Sequence, residues 1–244
     1  MNALGIIGSM DLEMEIIKED MKISRIERYG GFKFYLGKAY GINIILTSCG
    51  IGKVNAASCT QILITKFLVT SIINTGIALS LKNQINTCDI VISDNITYHD
   101  VKIIQMKNYF PFKQSFKGDK YLKELILLAY NNLTPKLFKL HYGKIVTGEN
   151  LPMNELSKAS ILNNYNPHCI ETEGAAIGHV SYINNIPFII IRCISDNNEG
   201  NPSMEYEKFE AIASNNSANL ILSLLKVMGN NNYTSEIPMD SISP

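Results

Sequence analysis

The stretch Cys169-Ile170-Glu171-Thr172-Glu173-Gly174-Ala175-Ala176 places two carboxylates two residues apart, after an apolar approach and before a helix-like run. Side chains alternate along a strand, so Glu171 and Glu173 would point to one face at a strand end. Two acids crowded on one face repel each other unless something binds them. Sugar hydroxyls are suitable partners, because a carboxylate accepts a hydrogen bond from each of two neighbouring hydroxyls. The stretch therefore predicts a strand-to-helix turn that carries a sugar site.

Two further strand ends carry acidic side chains. The run Ile189-Ile190-Ile191-Arg192-Cys193-Ile194-Ser195-Asp196 is a β-branched strand with a polar tip. The run Gly5-Ile6-Ile7-Gly8-Ser9-Met10-Asp11-Leu12-Glu13 supplies a third acidic end near the start of the chain. Active groups in α/β sheets lie at the carboxyl ends of strands. We therefore expect the three ends to converge on one nucleoside pocket.

Strand-like and helix-like runs alternate along the chain, which predicts a three-layer α/β/α sandwich with a central mixed sheet. We expect one domain over residues 1–228 and a loose tail over residues 229–244. An irregular loop is expected over residues 99–116, and Asp119 is expected to cap the helix after it. Predicted strands cover residues 4–7, 32–39, 42–49, 71–75, 89–94, 140–146, 169–171 and 187–194. Predicted helices cover residues 11–21, 54–67, 120–130, 154–162, 174–183 and 205–227.

Composition excludes several classes of protein. Of the 244 residues, 46% are hydrophobic and 18% are charged, so a large core is expected. The formal net charge is zero, so a nucleic-acid-binding surface is not expected. The five cysteines form no CxxC pair, which predicts buried free thiols in a reducing compartment. The four histidines lack ligand spacing, so no metal is expected. No leader or membrane-spanning run is apparent, and we expect a cytoplasmic protein without a membrane partner.

Each candidate residue also has a purely structural interpretation. Glu13 alone is typical of a first-turn acid favoured by the helix dipole, and Asp196 alone of a turn or N-cap residue. Arg192 lies between a buried strand and its tip, where an ion-pair role is expected in either case. Neither glycine pattern, Gly5-Ile-Ile-Gly8 or Gly50-Ile-Gly52-Lys53, has the spacing of a dinucleotide fingerprint or a P-loop.

Six segments occur in an order that resembles the 5′-methylthioadenosine/S-adenosylhomocysteine nucleosidases of the purine nucleoside phosphorylase superfamily. The resemblance runs from about Leu4 to Val227. It implies a homodimer that hydrolyses the N-glycosidic bond of both nucleosides, with 5′-deoxyadenosine as a further candidate substrate, in methionine salvage. Water is the second substrate, and no cofactor is implied. The segments are Gly-Ile-Ile-Gly-Ser-Met-Asp-Leu-Glu (5–13), Gly-Ile-Gly-Lys-Val (50–54), Ile-Asn-Thr-Gly (73–76), Tyr-His-Asp (98–100), Glu-Thr-Glu-Gly (171–174) and Arg-Cys-Ile-Ser-Asp (192–196).

The same resemblance implies roles for individual residues. Glu13 would be the general base that takes a proton from the attacking water, and Asp196 the general acid that protonates N7 of the departing adenine. Ser195 would orient Asp196, and Arg192 would lie near the water. A free Asp has a pKa of about 3.9, so Asp196 must be buried to keep a proton near neutral pH. Substrate-binding positions would be Leu79, Leu151, Pro152, Glu171, Thr172, Glu173 and Tyr206.

Several positions depart from the family pattern. Ile77 replaces a serine that helps to hold the water, and Leu79 replaces a glycine. Leu151-Pro152 replaces Phe-Ile, and proline has no N–H for the adenine ring, a loss of about 1–3 kcal/mol if buried. Thr172 replaces a methionine that contacts the sugar. These departures predict weaker water placement and base recognition, for which Asn150 or Asn154 are candidate substitutes.

The departures leave two alternatives open: a nucleoside phosphorylase on the same fold, and a nucleoside-binding dimer with weakened catalysis. A phosphate site would need cations or amide donors where the first helix begins, where this chain has Asp11 and Glu13. The apolar pocket at the sulfur end would be completed by the partner subunit. Candidates for that contribution are Met106, Tyr109, Phe110, Pro111 and Phe112.

Overall fold

The computed structural model describes residues 3–9, 11–196 and 202–230. Within these ranges, it describes only the backbone for residues 12, 13, 196, 202–208 and 210. Within these residues the strands are β1 Leu4–Gly8, β2 Lys22–Tyr29, β3 Phe32–Ala39, β4 Ile42–Ser48, β5 Ser71–Ser80, β6 Ile90–Tyr98, β7 Phe116–Lys117, β8 Leu140–Thr147, β9 Cys169–Glu171 and β10 Phe188–Asp196. The helices are α1 Leu12–Glu19, α2 Lys53–Phe67, α3 Ile103–Asn108, α4 Lys120–Asn131, α5 Glu155–Tyr165, α6 Gly174–Ile183 and α7 Pro202–Asn230.

All the strands belong to one mixed sheet, which confirms the predicted fold class. The order is β10-β6-β8-β9-β5-β1-β4-β3-β2, and β10 also pairs with β5, so five strands form a closed circuit. β1 runs parallel to both β4 and β5, and β5 runs parallel to β10. In contrast, β9 runs antiparallel to β5. The circuit brings the ends of β5, β9 and β10 together.

Helices cover both faces of the sheet, because the central strands are apolar on both sides. On one face α1, α4 and α7 pack over a core that includes Met14, Ile126 and Leu224. On the other face α2 and α6 pack over a core that includes Leu63 and Ile177. No helix in the described ranges has both the length and the apolar character needed to cross a membrane.

Two strands continue four or five residues past their predicted ends. β5 was expected to end before Gly76 but continues to Ser80, because β10 runs beside it and β9 pairs with Leu79 and Ser80. β6 was expected over residues 89–94 but extends to Tyr98, since β8 pairs along its length. A glycine inside a strand was therefore mistaken for a strand end.

Three elements, β2, α3 and β7, were not predicted. β2 is an exposed edge strand without strict alternation, and its pairing with β3 makes it a strand. The predicted loop over residues 99–116 contains α3. The expected cap of α4 is confirmed, since Asp119 Oδ1 accepts a hydrogen bond from the Leu122 N–H at 2.8 Å. The predicted tail lies outside the described residues from residue 231 onward.

Candidate active site

The turn between β4 and α2 connects two of the predicted strand ends. At the end of β1, the carbonyl of Gly8 accepts a hydrogen bond from the Cys49 N–H at 2.8 Å. Ser48 Oγ donates to Asp11 Oδ1 at 2.6 Å. At the end of β9, Glu173 Oε1 accepts a hydrogen bond from the Gly52 N–H at 2.9 Å. The ends of β1 and β9, two of the three ends that were predicted to converge, therefore both contact the β4–α2 turn.

Arg192 on β10 joins the two carboxylates of the opening stretch in a fully buried cluster. Its Nη2 lies 2.6 Å from Glu171 Oε2 and 3.7 Å from Glu173 Oε2. The same nitrogen donates to Asn74 Oδ1 at 2.6 Å, and Nη1 donates to the Ile191 carbonyl at 3.0 Å. The expected ion-pair role of Arg192 is thus what the geometry shows.

Glu171 faces the interior and is only 3% exposed. Its Oε2 accepts hydrogen bonds from the N–H groups of Glu173 at 2.9 Å and Gly174 at 2.6 Å, in addition to Arg192. Its Oε1 accepts from the hydroxyl of Thr147 on β8. Both oxygens are therefore engaged by the protein, and Glu171 holds the strand-to-helix turn together.

Glycine at position 174 lets this turn pack against the core. A Cβ there would lie 2.6 Å from Ile96 Cδ1 and 3.1 Å from Glu171 Oε1. Contacts below 3.0 Å with a buried side chain would force the turn or the core to shift. Glycine at position 174 therefore allows the turn that carries both acids to pack closely against Ile96.

Glu173 lies at the start of α6, next to the β4–α2 turn. Its Oε1 accepts hydrogen bonds from the Gly52 N–H and the Thr172 hydroxyl. Burial raises the pKa of Glu173, and the nearby Glu171 raises it further, although Arg192 acts in the opposite direction. Its other oxygen, Oε2, has one contact among those described above, at 3.7 Å from Arg192 Nη2. Of the two acids, Glu173 is the one with capacity left for a ligand.

Leu151 and Pro152 line a cavity of about 400 Å³ between the loop after β8 and α5. Leu79 lies close by, in a small apolar cluster with Ile161 and Ile170, and Ile161 also lines the cavity. Leu79 and the predicted base-side positions Leu151 and Pro152 therefore lie near a common residue, Ile161. The other lining residues are His99, Asn150, Met153, Asn154, Ser157, Ser160, Asn164 and Tyr165.

Of the two predicted substitute donors, Asn154 has its side-chain oxygen engaged by the protein. Its Oδ1 accepts a hydrogen bond from the Ser157 N–H at 2.9 Å, and the Ser157 Oγ accepts one from the Asn154 N–H. This reciprocal pair is a capping box that begins α5. The side chain of Asn154 is thus held by the helix terminus.

His99 is a cavity residue to which the sequence argument assigned no role. Its ring packs on Gly148, where any Cβ would overlap the imidazole. Burial lowers the pKa of His99, with Lys53 acting in the same direction and Asp100 opposing. Its Nε2 is buried and makes no hydrogen bond within the part of the chain that is described. The Tyr-His-Asp segment was the available signal for this residue.

The tip of β10 contains a β-bulge at Ser195, which is 5% exposed. Across the bulge the backbone of Asp196 pairs with Leu79, which in turn pairs with Ile170 on β9. Asp196 on β10 and Ile170 on β9 therefore lie on opposite sides of Leu79, which is on β5 between them. The side chains of Glu13, Asp196 and Tyr206 lie outside the described part of the chain; the backbone of Glu13 is in the first turn of α1.

Ile77 occupies the position where a water-holding serine was expected. Its side chain is half-buried and packs against the core under α1, α4 and α7. The hydrocarbon side chain cannot donate a hydrogen bond, so it cannot replace the hydroxyl. Residues that the sequence argument missed are Asn74, Thr147 and the Gly52 N–H, which hold Arg192 and the two acids.

A second cavity, of about 550 Å³, lies between α7 and the segment from Asn132 to Phe138. None of the predicted site residues lines it. In the described residues, no three His, Cys, Asp or Glu side chains are grouped as metal ligands. All five cysteines are free thiols, four of them buried.

Comparisons with known proteins agree with this geometry. Residues 3–226 match the family model described as the phosphorylase superfamily. A 5′-methylthioadenosine/S-adenosylhomocysteine nucleosidase of Listeria innocua is 34% identical over 232 residues, which are 92% of this chain and 99% of the relative. The nucleosidase of the same name from Maridesulfovibrio salexigens is 31% identical over 91% of this chain and 98% of its own length.

Solved structures of the same kind of enzyme superpose closely. The nucleosidase of Colwellia psychrerythraea in complex with adenine has a TM-score of 0.86 at 30% identity, with 93% of this chain and 95% of that chain covered. The Neisseria meningitidis nucleosidase in complex with methylthio-immucillin-A has a TM-score of 0.85 at 29% identity, with 93% and 99% covered. The chain therefore belongs to the 5′-methylthioadenosine/S-adenosylhomocysteine nucleosidases of the phosphorylase superfamily.

Proposed function

We propose that this protein hydrolyses the N-glycosidic bond of 5′-methylthioadenosine and S-adenosylhomocysteine, and that it serves methionine salvage. The products are adenine and either methylthioribose or ribosylhomocysteine. The observation that carries the proposal is the buried Glu173 beside the Gly52 N–H, at converging strand ends of a chain that is 34% identical to a named nucleosidase. It is the one carboxylate of the cluster with an oxygen available for a sugar hydroxyl.

The reaction needs an acid and a base on different sides of the bond that breaks. The C1′–N9 bond breaks with its electron pair going to adenine, and Asp196 gives a proton to N7 so that the base leaves neutral. Water adds to C1′ and loses its proton to Glu13. The backbone positions of Asp196 at the tip of β10 and Glu13 after β1 support these roles.

Glu173 would bind the ribose hydroxyls and favour the positive charge that develops on the sugar. A negative charge aimed at a developing cation lowers the barrier most in a site that excludes water. Glu171 and Arg192 then act through Glu173: Glu171 fixes the turn, and Arg192 keeps two buried carboxylates compatible. Ser195, at the bulge before Asp196, would orient the acid, and the backbone of Thr172 would assist Glu173.

The base would lie beside Leu151, Pro152 and Leu79, with Tyr206 as the aromatic residue that closes the pocket. The cavity that Leu151 and Pro152 line supports this placement. Phosphorolysis is disfavoured by the charges of the site. Arg192 is engaged by carboxylates, and the other two arginines, Arg25 and Arg28, lie on β2 at the edge of the sheet.

We further propose a homodimer in a reducing, cytoplasmic compartment. Tyr109, Phe110 and Phe112 follow α3 and are each at least 65% exposed, although they are large and aromatic. Such side chains are enriched in protein–protein interfaces. They would complete the sulfur-side pocket of the other subunit. The five free thiols support the compartment.

Adenine release from methylthioadenosine, with and without phosphate, tests the reaction. We expect release without phosphate and methylthioribose as the second product. Release only with phosphate would replace hydrolysis by phosphorolysis. Binding of methylthioadenosine without any release would show that the departures at Ile77 and Pro152 have removed catalysis. S-adenosylhomocysteine and 5′-deoxyadenosine in the same assay measure the tolerance of the 5′ pocket.

A further inference from the structure

Three charged residues from distant parts of the chain form a compact set next to the site. Lys53 Nζ lies 2.7 Å from Asp100 Oδ2. The same Asp100 oxygen accepts a hydrogen bond from the Glu149 N–H at 2.8 Å. Glu149 Oε1 in turn accepts one from the Lys53 N–H at 3.1 Å. We call Lys53, Asp100 and Glu149 the bracket; each pair within it is joined directly.

The bracket adjoins the group that binds Glu173. The N–H of Gly52, one residue before Lys53, donates to Glu173 Oε1 at 2.9 Å. Gly52 has φ 99°, a left-handed value that a side chain would oppose, and it is the N-cap of α2 without a side-chain cap. The start of α2 is thus capped by two carboxylates, those of Glu173 and Glu149. Its orientation depends on what holds residues 52 and 53.

The bracket also fixes the loop on the base side. Glu149 directly precedes Asn150, Leu151 and Pro152, which line the 400 Å³ cavity. The Glu149 N–H is bound by Asp100, and the His99 N–H donates to the Thr147 carbonyl at 3.0 Å. A shift of Asp100 would therefore act on the sugar side and the base side together.

We propose that Asp100 is a positioning residue of the nucleosidase reaction, which acts through the bracket to hold the Gly52 N–H on Glu173 and the 149–152 loop on the base. The inference rests on the proposed function for its catalytic readout. Burial by itself would raise the pKa of Asp100, but the hydrogen bonds from Lys53 and the Glu149 N–H lower it below its usual value. Asp100 is therefore charged at neutral pH and able to hold both donors.

A graded set of variants separates the two contacts of Asp100. Asp100→Ala removes both contacts, and we expect kcat/KM for methylthioadenosine to fall by about tenfold, as for a lost charge-assisted hydrogen bond. Asp100→Asn keeps an acceptor for the Glu149 N–H, and Lys53→Met removes only the ion pair, so each should show a smaller loss. Asp94→Ala is the matched control, because Asp94 pairs with Lys123 at a surface between β6 and α4. Its kcat/KM should be unchanged.

A double-mutant cycle distinguishes positioning from a general structural effect. If Asp100 acts on Glu173 as well as on the 149–152 loop, the Asp100→Ala loss should be smaller in a Glu173→Gln background than in the wild type, and the loss that remains measures the effect through the loop. Equal losses in both backgrounds would overturn the proposal. A control loss at Asp94→Ala as large as that at Asp100→Ala would overturn it as well.

Hydrogen exchange of the Gly52 amide gives a readout that needs no catalysis. We expect slow exchange in the wild type and faster exchange in Asp100→Ala, with unchanged protection of the amides in the central strands. Equal Gly52 exchange in both proteins would overturn the bracket, whatever the activity. An inactive wild type with faster Gly52 exchange in Asp100→Ala would reject the proposed function and still support the bracket.

Discussion

The guanidinium of Arg192 lies 2.6 Å from carboxylate or amide oxygens of Glu171 and Asn74, in an environment closed to solvent. Two carboxylates at this depth would repel each other without it. A buried ion pair adds little net stability compared with apolar packing, but removal of one partner leaves an unpaired charge. Arg192 is therefore needed to keep the two buried acids side by side.

Substitution of Arg192 by Met tests this condition. We expect the free energy of unfolding to fall by about 3–5 kcal/mol, because Glu171 and Glu173 lose their shared counter-charge. Urea denaturation at neutral pH measures the change. Arg25→Met is the control, since Arg25 is exposed and pairs with Glu27, two residues along β2; a change of about 0.5 kcal/mol or less is expected there. Similar losses at both positions would contradict the assignment.

Glu173 should make stability depend on pH in a direction opposite to that of an ordinary carboxylate. Its pKa is raised in the folded state by burial and by Glu171, above the usual value of 4.5. Between the unfolded and the folded pKa the native state binds more protons than the unfolded chain. The contribution of Glu173 is thus full below the unfolded pKa and is lost as pH rises through the folded pKa.

The variant Glu173→Gln lacks this proton equilibrium. We expect its free energy of unfolding, relative to the wild type, to increase as pH rises from about 4, with a plateau above the folded pKa of Glu173. Urea titrations at several pH values give the difference. A difference that stays constant, or that decreases with pH, would show that the folded protein does not raise the pKa of Glu173.

At the scale of elements, the N-terminus of α5 lies beside the cavity in which the base is proposed to bind. Its capping box joins Asn154 and Ser157, and both residues line the cavity with Leu151 and Pro152. The loop before α5 is thus fixed at two ends, by the cap and by the hydrogen bond from the Glu149 N–H to Asp100. If the base binds at this loop as proposed, Pro152 offers it no N–H, so the positions of the remaining backbone donors would depend on how the loop is held.

Removal of the cap should affect stability and base binding together. For Asn154→Ala we expect a loss of about 1 kcal/mol in the free energy of unfolding, the usual value for an N-cap, and a higher KM for methylthioadenosine. Thermal or urea unfolding and steady-state kinetics provide the two numbers. Glu155→Ala, one residue later and exposed, is the comparison and should change neither. An unchanged KM in Asn154→Ala would separate the cap from the base side.

At the scale of the whole molecule, the proposed dimer makes each site a product of two chains. Tyr109, Phe110 and Phe112 are exposed on one subunit, while the acid Asp196 would belong to the other. An Asp196→Asn variant should lose about 10²–10⁴-fold in kcat as a general acid, and a variant with serine at residues 109, 110 and 112 should lose sulfur-side binding. Each homodimer would then be defective for a different reason.

Mixed dimers of these two variants decide the matter. A mixed dimer has one site with a native acid and a native aromatic segment, so random pairing should restore about a quarter of the wild-type sites. Activity after co-expression, with sedimentation to verify dimers, is the measurement. Activity no higher than the mean of the two homodimers would reject a shared site. A monomeric wild type would reject the dimer itself.

The closed circuit of β5, β10, β6, β8 and β9 explains which parts of the site were predictable. Alternating and β-branched runs are local signals, and they predicted β3, β9 and α6 with the observed bounds. The extension of β5 to Ser80 was not predictable in this way, since it depends on pairing with β9, some ninety residues later in the chain. The bracket is likewise formed by residues far apart in sequence, which no local pattern brings together.

The sequence by itself determined the fold class, the converging strand ends and the acids that they carry, because side-chain periodicity is a local property and active groups in α/β sheets lie at the carboxyl ends of strands. Only the tertiary structure decided how those acids differ. Glu171 is engaged by Thr147, Arg192 and two backbone N–H groups, whereas Glu173 meets the Gly52 N–H and keeps capacity for a ligand. The physical reason is that the state of a buried charge is set by the donors around it, and these donors come from strands and turns that only the assembled sheet brings within reach.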